Sequence, residues 1–283
     1  MKEAPIQERV AMADDYNERF RKIEEALSAL PAVESLSLEK FKEIRQKFLA
    51  EFSNHDKETE FIVLMIRDLI DQYRYDSLHG VQLSGDAREA ESRTLNLSFA
   101  RFMNIGTKFV LTHGGNRDYL SDLFSLCGRI ADRLESNSSS PKWPGHKKGI
   151  IGQVGVYKYM EAKGLSPSLA APSKDAFNRV DFWGRTGGKQ LAVQGKCVGF
   201  LCEPAFLDNE KKLESWLKSE VAKVDEPHKA DAALRAREVS SDYRIMEKAC
   251  KKAKPVVIIL PWNSIDHVNG SLKEEYFENN INS

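Results

Sequence analysis

The hydrophobic periodicity of this chain changes character once, at Ser136-Asn137-Ser138-Ser139-Ser140-Pro141. Before that polar, Pro-terminated stretch, apolar residues recur at three- and four-residue spacing, the mark of amphipathic helices. After it, short β-like runs alternate with helical ones. A chain that switches period at such a linker is expected to build a helical layer first and a sheet-containing unit second. The boundary divides the chain into a helical domain, 1–140, and an α/β domain, 141–283. No internal repeat is visible.

In the first part the spacing predicts helices at 15–30, 38–53, 57–76, 86–104 and 117–136. The run Phe61-Ile62-Val63-Leu64-Met65-Ile66 is apolar on every side, which suits a helix at the centre of the layer. A six-residue strand is the alternative, and the periodic continuation to Tyr75 favours helix. His113-Gly114-Gly115-Asn116 reads as a turn. Beyond the linker a helix is expected from about 149 to 163, closed by Gly164. Strand-like segments 177–183 and 190–201 follow, joined through Gly184-Arg185-Thr186-Gly187-Gly188 as a hairpin. Polar helices are expected at 208–224 and 229–252, then a fully buried strand, Val256-Val257-Ile258-Ile259-Leu260. The expected class is α/β, with a central mixed sheet flanked by helices.

Charge is informative by region rather than in total. Lys plus Arg and Asp plus Glu both number 42, so a whole-chain basic signature is absent. Residues 141–202, however, carry ten basic against three acidic side chains, a local excess of +7. Such a segment can attract a polyanion even when the chain is neutral overall. No apolar run approaches the roughly 20 residues of a membrane span, and MKEAPIQERVAMADD has no secretory apolar core. With no C-x-x-C pair among Cys127, Cys197, Cys202 and Cys250, the expectation is reduced thiols in a cytoplasmic protein that has no membrane association. No G-x-S-x-G or H-E-x-x-H is present.

Chemistry concentrates in the expected hairpin. Alternate strand residues share a face, so Ala192, Gln194, Lys196 and Val198 point one way, and Leu191, Val193 and Cys197 the other. With the hairpin centred near Thr186, Asp181 falls roughly opposite Ala192 and reaches diagonally toward Gln194. A carboxylate, an amide and an ammonium on a half-buried face need partners, and a divalent cation gives Asp181 and Gln194 a common one. Mg²⁺ takes oxygen ligands and keeps several waters, so one carboxylate and one carbonyl group suffice. Such an ion acidifies a bound water and neutralises a phosphodiester, while Lys196 orients the water or offsets charge.

Asp181, twelve residues, then Gln194-Gly195-Lys196 on adjacent strands after a helix resembles the PD-(D/E)XK nuclease superfamily. The Gln-x-Lys form is most similar to Mrr-type restriction endonucleases. The resemblance covers about 145–202, with Leu260 as its outer limit, and not the first 140 residues. It implies Asp181, Gln194 and the Gly195 carbonyl as ligands of Mg²⁺ or Mn²⁺, with Lys196 catalytic. That group often carries an early Glu on the preceding helix. The corresponding position is Gln153, a departure, and Glu161 lies about 80° further round the helix. Either could complete the site. Val180 stands where a proline is common. The resemblance also implies a type II-like restriction endonuclease acting on double-stranded DNA as a homodimer, with 1–140 serving recognition or dimerisation. Lys147, Lys148, Arg179, Arg185 and Lys189 are the candidate phosphate contacts. A nuclease-fold DNA-binding protein without catalysis, and a structure-selective repair or recombination nuclease, are the alternatives.

Four other features stand outside this motif. Gly149, Gly152 and Gly155 suit close helix packing better than a phosphate loop, since no strand precedes them. His113 reads as a turn residue, and His146, with Lys147 and Lys148, as a basic helix start that is either in contact with phosphate or solvated. Asp68, Asp71 and Asp76 read as a solvated helix face.

Overall fold

The computed structural model describes residues 57–79, 85–135, 141–199, 204–224 and 226–274, with isolated residues 21, 25, 39, 43 and 46. The expected helices at 15–30 and 38–53 lie largely outside the described residues. In the longer stretches seven helices and five strands follow one another: α1 (Lys57–His79), α2 (Gly85–His113), α3 (Arg117–Leu134), α4 (Trp143–Ala162), β1 (Ser168–Leu169), α5 (Pro172–Asn178), β2 (Phe182–Thr186), β3 (Lys189–Val198), β4 (Ala205–Leu207), α6 (Glu210–Lys223), α7 (Glu226–Ala249) and β5 (Lys254–Pro261). The chain is α/β, and its sheet is mixed.

The helical layer forms for the reasons its periodicity suggests. Phe61, Ile62, Met65, Ile66 and Leu69 of α1 are fully buried, and the Phe61 ring stacks on Phe102 and Phe109 of α2. In α3 the buried set Leu120, Leu123, Phe124, Cys127, Ile130, Ala131 and Leu134 traces one apolar stripe. Asn116 caps that helix by accepting from the Tyr119 N–H at 3.2 Å. One continuous apolar cluster runs from these helices through Ile150, Ile151 and Val154 of α4 to Val193, Ile258 and Ile265. The layer therefore rests against α4, and α4 rests on the sheet.

Sheet order is β1-β2-β3-β5-β4, with β3 and β5 parallel and every other neighbouring pair antiparallel. One face packs on α4. The other holds a second cluster in which Ala192, Val198, Val257 and Ile259 meet Val239, Tyr243 and Met246 of α7. β5 lies inside the sheet, between β3 and β4, and is apolar on both faces, as its run of β-branched residues requires. Pro255 lies outside the stretch of β5 that pairs with β4, where the lost donor matters less.

Two sequence expectations are corrected. Residues 177 and 178 end helix α5 rather than begin a strand: Pro172 starts the helix, and Arg179 closes it in the left-handed region at φ 58. The hairpin register is also shifted. Its turn is the pair Gly187-Gly188, at φ 52 and 77, which matches a two-residue turn of the strand-compatible hand. Trp183 then faces Ala192 and Phe182 faces Val193, so Asp181 falls beside Gln194 rather than across from Ala192.

The glycines of α4 make its contacts possible. A Cβ on Gly149 would stand 2.8 Å from Met103 Cε, one on Gly152 2.8 Å from Cys197 Cβ, and one on Gly155 2.8 Å from Ile265 Cγ2. Cys197 Cβ is tied to the β3 backbone and cannot swing aside. Gly152→Val is therefore expected to cost about 2–3 kcal/mol by wedging α4 off the sheet. Gly145→Ala, with nothing within 4 Å, should be close to neutral. Urea denaturation of the two variants checks this; equal losses would mean that α4 does not seat on β3 through Gly152.

Candidate functional site

The side chains that matter sit where β2, β3, α5 and α7 meet. Odd-numbered β3 positions face α4: a Cβ on Gly195 would lie 3.0 Å from Val156. Even-numbered positions face α7. Gln194 and Lys196 therefore share the α7 side, as strand alternation requires.

Asp181 is buried and Gln194 is 7% exposed. Asp181 Oδ2 accepts from Gln194 Nε2 at 2.8 Å and from the Gly195 N–H at 2.8 Å. Gln194 Oε1 is buried with no hydrogen-bond partner. An amide fixed at one end and unsatisfied at the other is a costly arrangement without a ligand. Lys196 Nζ lies 2.7 Å from Asp242 Oδ2, and Arg179 Nε lies 3.4 Å from Asp242 Oδ1.

The carboxyl of Asp175, on α5, is close enough to that of Asp181 for each to act on the other. Burial pushes the pKa of both carboxyls up, and the charge of Asp175 raises Asp181 further. The Gly195 N–H and the Lys196 ammonium pull against this at Asp181. Two carboxyls share one small space, with a lysine close enough to act on both. Sequence reasoning missed both Asp175 and Asp242. Neither lies within the spaced motif, and each arrives from a different helix.

The two α4 candidates do not join this group. Gln153 Oε1 accepts from Thr107 Oγ1 at 2.7 Å, facing α2. Glu161 is exposed near the end of α4, where its charge acts on Tyr157 and Lys158. The reason is geometric: α4 packs on one face of the sheet and Gln194 points from the other. The candidate phosphate contacts are also dispersed. Lys147 Nζ lies over the Phe124 ring at 5.1 Å, on the helical side. Lys148 Nζ lies over Trp262 at 5.3 Å, beyond the end of β3. Arg179 is engaged with Asp242. Arg185 and Lys189 are exposed at the hairpin turn, and Lys189 is about 16 Å along β3 from Gln194 at the usual rise per residue.

The reading of Asp68, Asp71 and Asp76 as a solvated face is corrected. Only Asp76 is exposed, 3.1 Å from Lys142 Nζ. Asp68 is completely buried, and Asp71 is buried and accepts from Ser98 Oγ at 3.1 Å. His146 is not part of a solvated helix start either. It lies among Phe99, Phe102, Asp68 and Gln72, with Gln72 Nε2 2.7 Å from both Asp68 Oδ2 and His146 Nε2. His113, expected in the turn, is instead the last residue of α2, its ring 4.2 Å from that of Phe109, and the turn is Gly114-Gly115.

No protein-family model, curated protein or solved structure matches this chain. Among the described residues no group of three or more His, Cys, Asp and Glu side chains is placed to hold a metal ion, and no helix is long and apolar enough to cross a membrane. Any cation at the hairpin would therefore depend on carboxylates together with amide or backbone oxygen. Cys127, Cys197 and Cys250 are free thiols, while Cys202 lies outside the described residues.

Proposed function

We propose that this chain is a Mg²⁺-dependent endonuclease of the PD-(D/E)XK type that hydrolyses double-stranded DNA. The observation that carries the reading is the Gln194 amide: its nitrogen is fixed on Asp181, its oxygen is buried without a partner, and Lys196 is its neighbour on the same face. That donor set fits a hard divalent cation, which takes oxygen ligands and completes its shell with water. Asp181 and Gln194 Oε1 would hold the ion, with the Gly195 carbonyl as the third protein oxygen that the family resemblance implies. Bound there, a cation supplies charge neutralisation at the phosphodiester and a more acidic water. Lys196 is kept in place by Asp242 and faces the carboxyl pair, where its ammonium can orient a nucleophilic water and offset developing negative charge.

The preferred setting is a restriction endonuclease. Cutting both strands of a duplex calls for two such sites and hence a homodimer. The rival reading is a DNA-binding protein that has lost catalysis, and it is favoured by the placement of Gln153 and Glu161 away from Asp181. Incubating the protein with plasmid in Mg²⁺ or in EDTA separates the two. The proposal predicts Mg²⁺-dependent linear or fragmented product, and end mapping that gives one sequence at every cut. Retarded but intact plasmid in every divalent metal supports the rival, and cuts confined to structured DNA support a repair-type enzyme.

Electrostatic contacts to DNA make affinity fall with salt. Lys148→Gln is expected to lower the slope of log affinity against log salt by about one unit. Lys147→Gln should lower it by a similar amount, since each ammonium lies over one aromatic ring, Lys147 over Phe124 and Lys148 over Trp262. Fluorescence anisotropy across a salt series measures both slopes. Unchanged slopes for both would exclude the start of α4 from the interface.

A further inference from the structure

We propose that Asp175 supplies the second carboxylate of the cation site, in place of an acid on the helix that precedes the hairpin. This inference rests on the cation-binding part of the reading above and extends it to a residue outside the Asp-Gln-Lys spacing. Three observations converge. Asp175 and Asp181 bring their carboxyls within interaction distance of one another, although they come from a helix and from the lead-in to a strand. Gln194, nine-tenths buried and bonded to the same Asp181, has its Oε1 without a partner. The two α4 residues considered for this place do not reach it: Gln153 is an amide bonded to Thr107, and Glu161 lies at an exposed helix end.

The local backbone explains how Asp175 reaches this position. Pro172 starts a helix of only seven residues, and Arg179 ends it at φ 58. The Arg179 N–H donates to the Asp175 carbonyl at 3.1 Å, and the Val180 N–H donates to the Lys174 carbonyl at 3.3 Å. The chain thus folds back within one turn and brings Asp181 under the helix that carries Asp175. Two carboxyl groups and an amide oxygen then offer a small divalent cation the oxygens it prefers, and the cation removes the cost of keeping the two acids together.

The test is Mn²⁺ binding to the full chain without DNA, followed by electron paramagnetic resonance and calorimetry. Wild type should bind Mn²⁺, and Asp175→Asn should weaken that binding by at least about tenfold. Asp175→Asn keeps the shape of the side chain and removes a like-charge contact, so its thermal midpoint without metal should be no lower than that of wild type. Asp175→Glu should recover part of the affinity. Glu161→Gln should leave it unchanged. Wild-type affinity in Asp175→Asn, or no Mn²⁺ bound to wild type at millimolar metal, would overturn the proposal. The readout is separable from nuclease activity. Asp175-dependent binding without cleavage keeps this inference and removes the nuclease, whereas a cleaving enzyme in which Asp175→Asn binds Mn²⁺ normally does the reverse.

Discussion

Asp181→Ala is expected to reduce plasmid cleavage to background while leaving DNA binding intact or tighter. The carboxylate is the residue through which Gln194 and the Gly195 N–H are organised, so its loss removes a cation ligand and the geometry of its neighbour together. Binding should not suffer, because a carboxylate without a cation repels phosphate. Folding needs separate attention, since alanine leaves two buried donors unpaired at about 1–3 kcal/mol each. Asp181→Asn is the companion variant: its amide oxygen can still accept both bonds, and it should be inactive at a near-native melting temperature. Cleavage by folded Asp181→Asn at the wild-type rate would place the chemistry elsewhere.

The second large effect concerns stability and lies between α1 and α4. Burial raises the Asp68 pKa from 3.8 to about 7, with Gln72 opposing. Burial, and next the Lys142 charge, lower the His146 pKa from 6.5 to about 4. Although His146 Nε2 is 3.4 Å from Asp68 Oδ2, these shifts describe a neutral pair rather than an ion pair. The unfolded chain has Asp⁻ and His⁺ between about pH 4 and 6.5, and the folded chain has protonated Asp and neutral His. Both forms hold one proton, so the pair contributes no pH dependence in that window.

Breaking the pair exposes the two opposed terms. An acid with a raised pKa loses stability as pH rises, so Asp68→Asn should gain on wild type between pH 4 and 7, by on the order of 4 kcal/mol. A histidine with a lowered pKa gains stability as pH rises, so His146→Gln should lose ground to wild type between pH 4 and 6.5, by on the order of 3 kcal/mol. Urea titrations at stepped pH give the differences directly. Differences that do not change with pH would show that both groups titrate normally.

Several elements were legible because one local signal sufficed. The α3 stripe and the apolar run of α1 follow from periodicity, and the hairpin from its glycine pair. The packing role of Gly149, Gly152 and Gly155 followed from the lack of a preceding strand. The register is less legible because Gly184 reads as part of the turn in the sequence, whereas it pairs with Leu191 inside the ladder. Helix α5 was missed although Pro172 is a start signal, because Phe177 to Trp183 also reads as β-like. Asp68 could have been recognised: Phe61, Met65, Asp68 and Gln72 lie on one helical stripe, and a carboxylate in that stripe faces the interior. Asp175 and Asp242 had no such signal, since both reach the hairpin only through packing of α5 and α7.

The most direct test of the central claim is the cleavage rate against Mg²⁺ concentration for wild type, Gln194→Glu and Gln194→Leu, with folding checked by thermal melts. Glutamate keeps an oxygen and adds charge, so activity should survive with a lower Mg²⁺ requirement, and Mg²⁺ should raise the melting temperature more than in wild type. Leucine has nearly the same size and no oxygen, so it should fold and be inactive at every Mg²⁺ concentration. Full activity in folded Gln194→Leu, or wild-type cleavage that proceeds unchanged in EDTA, would contradict a cation held at this hairpin.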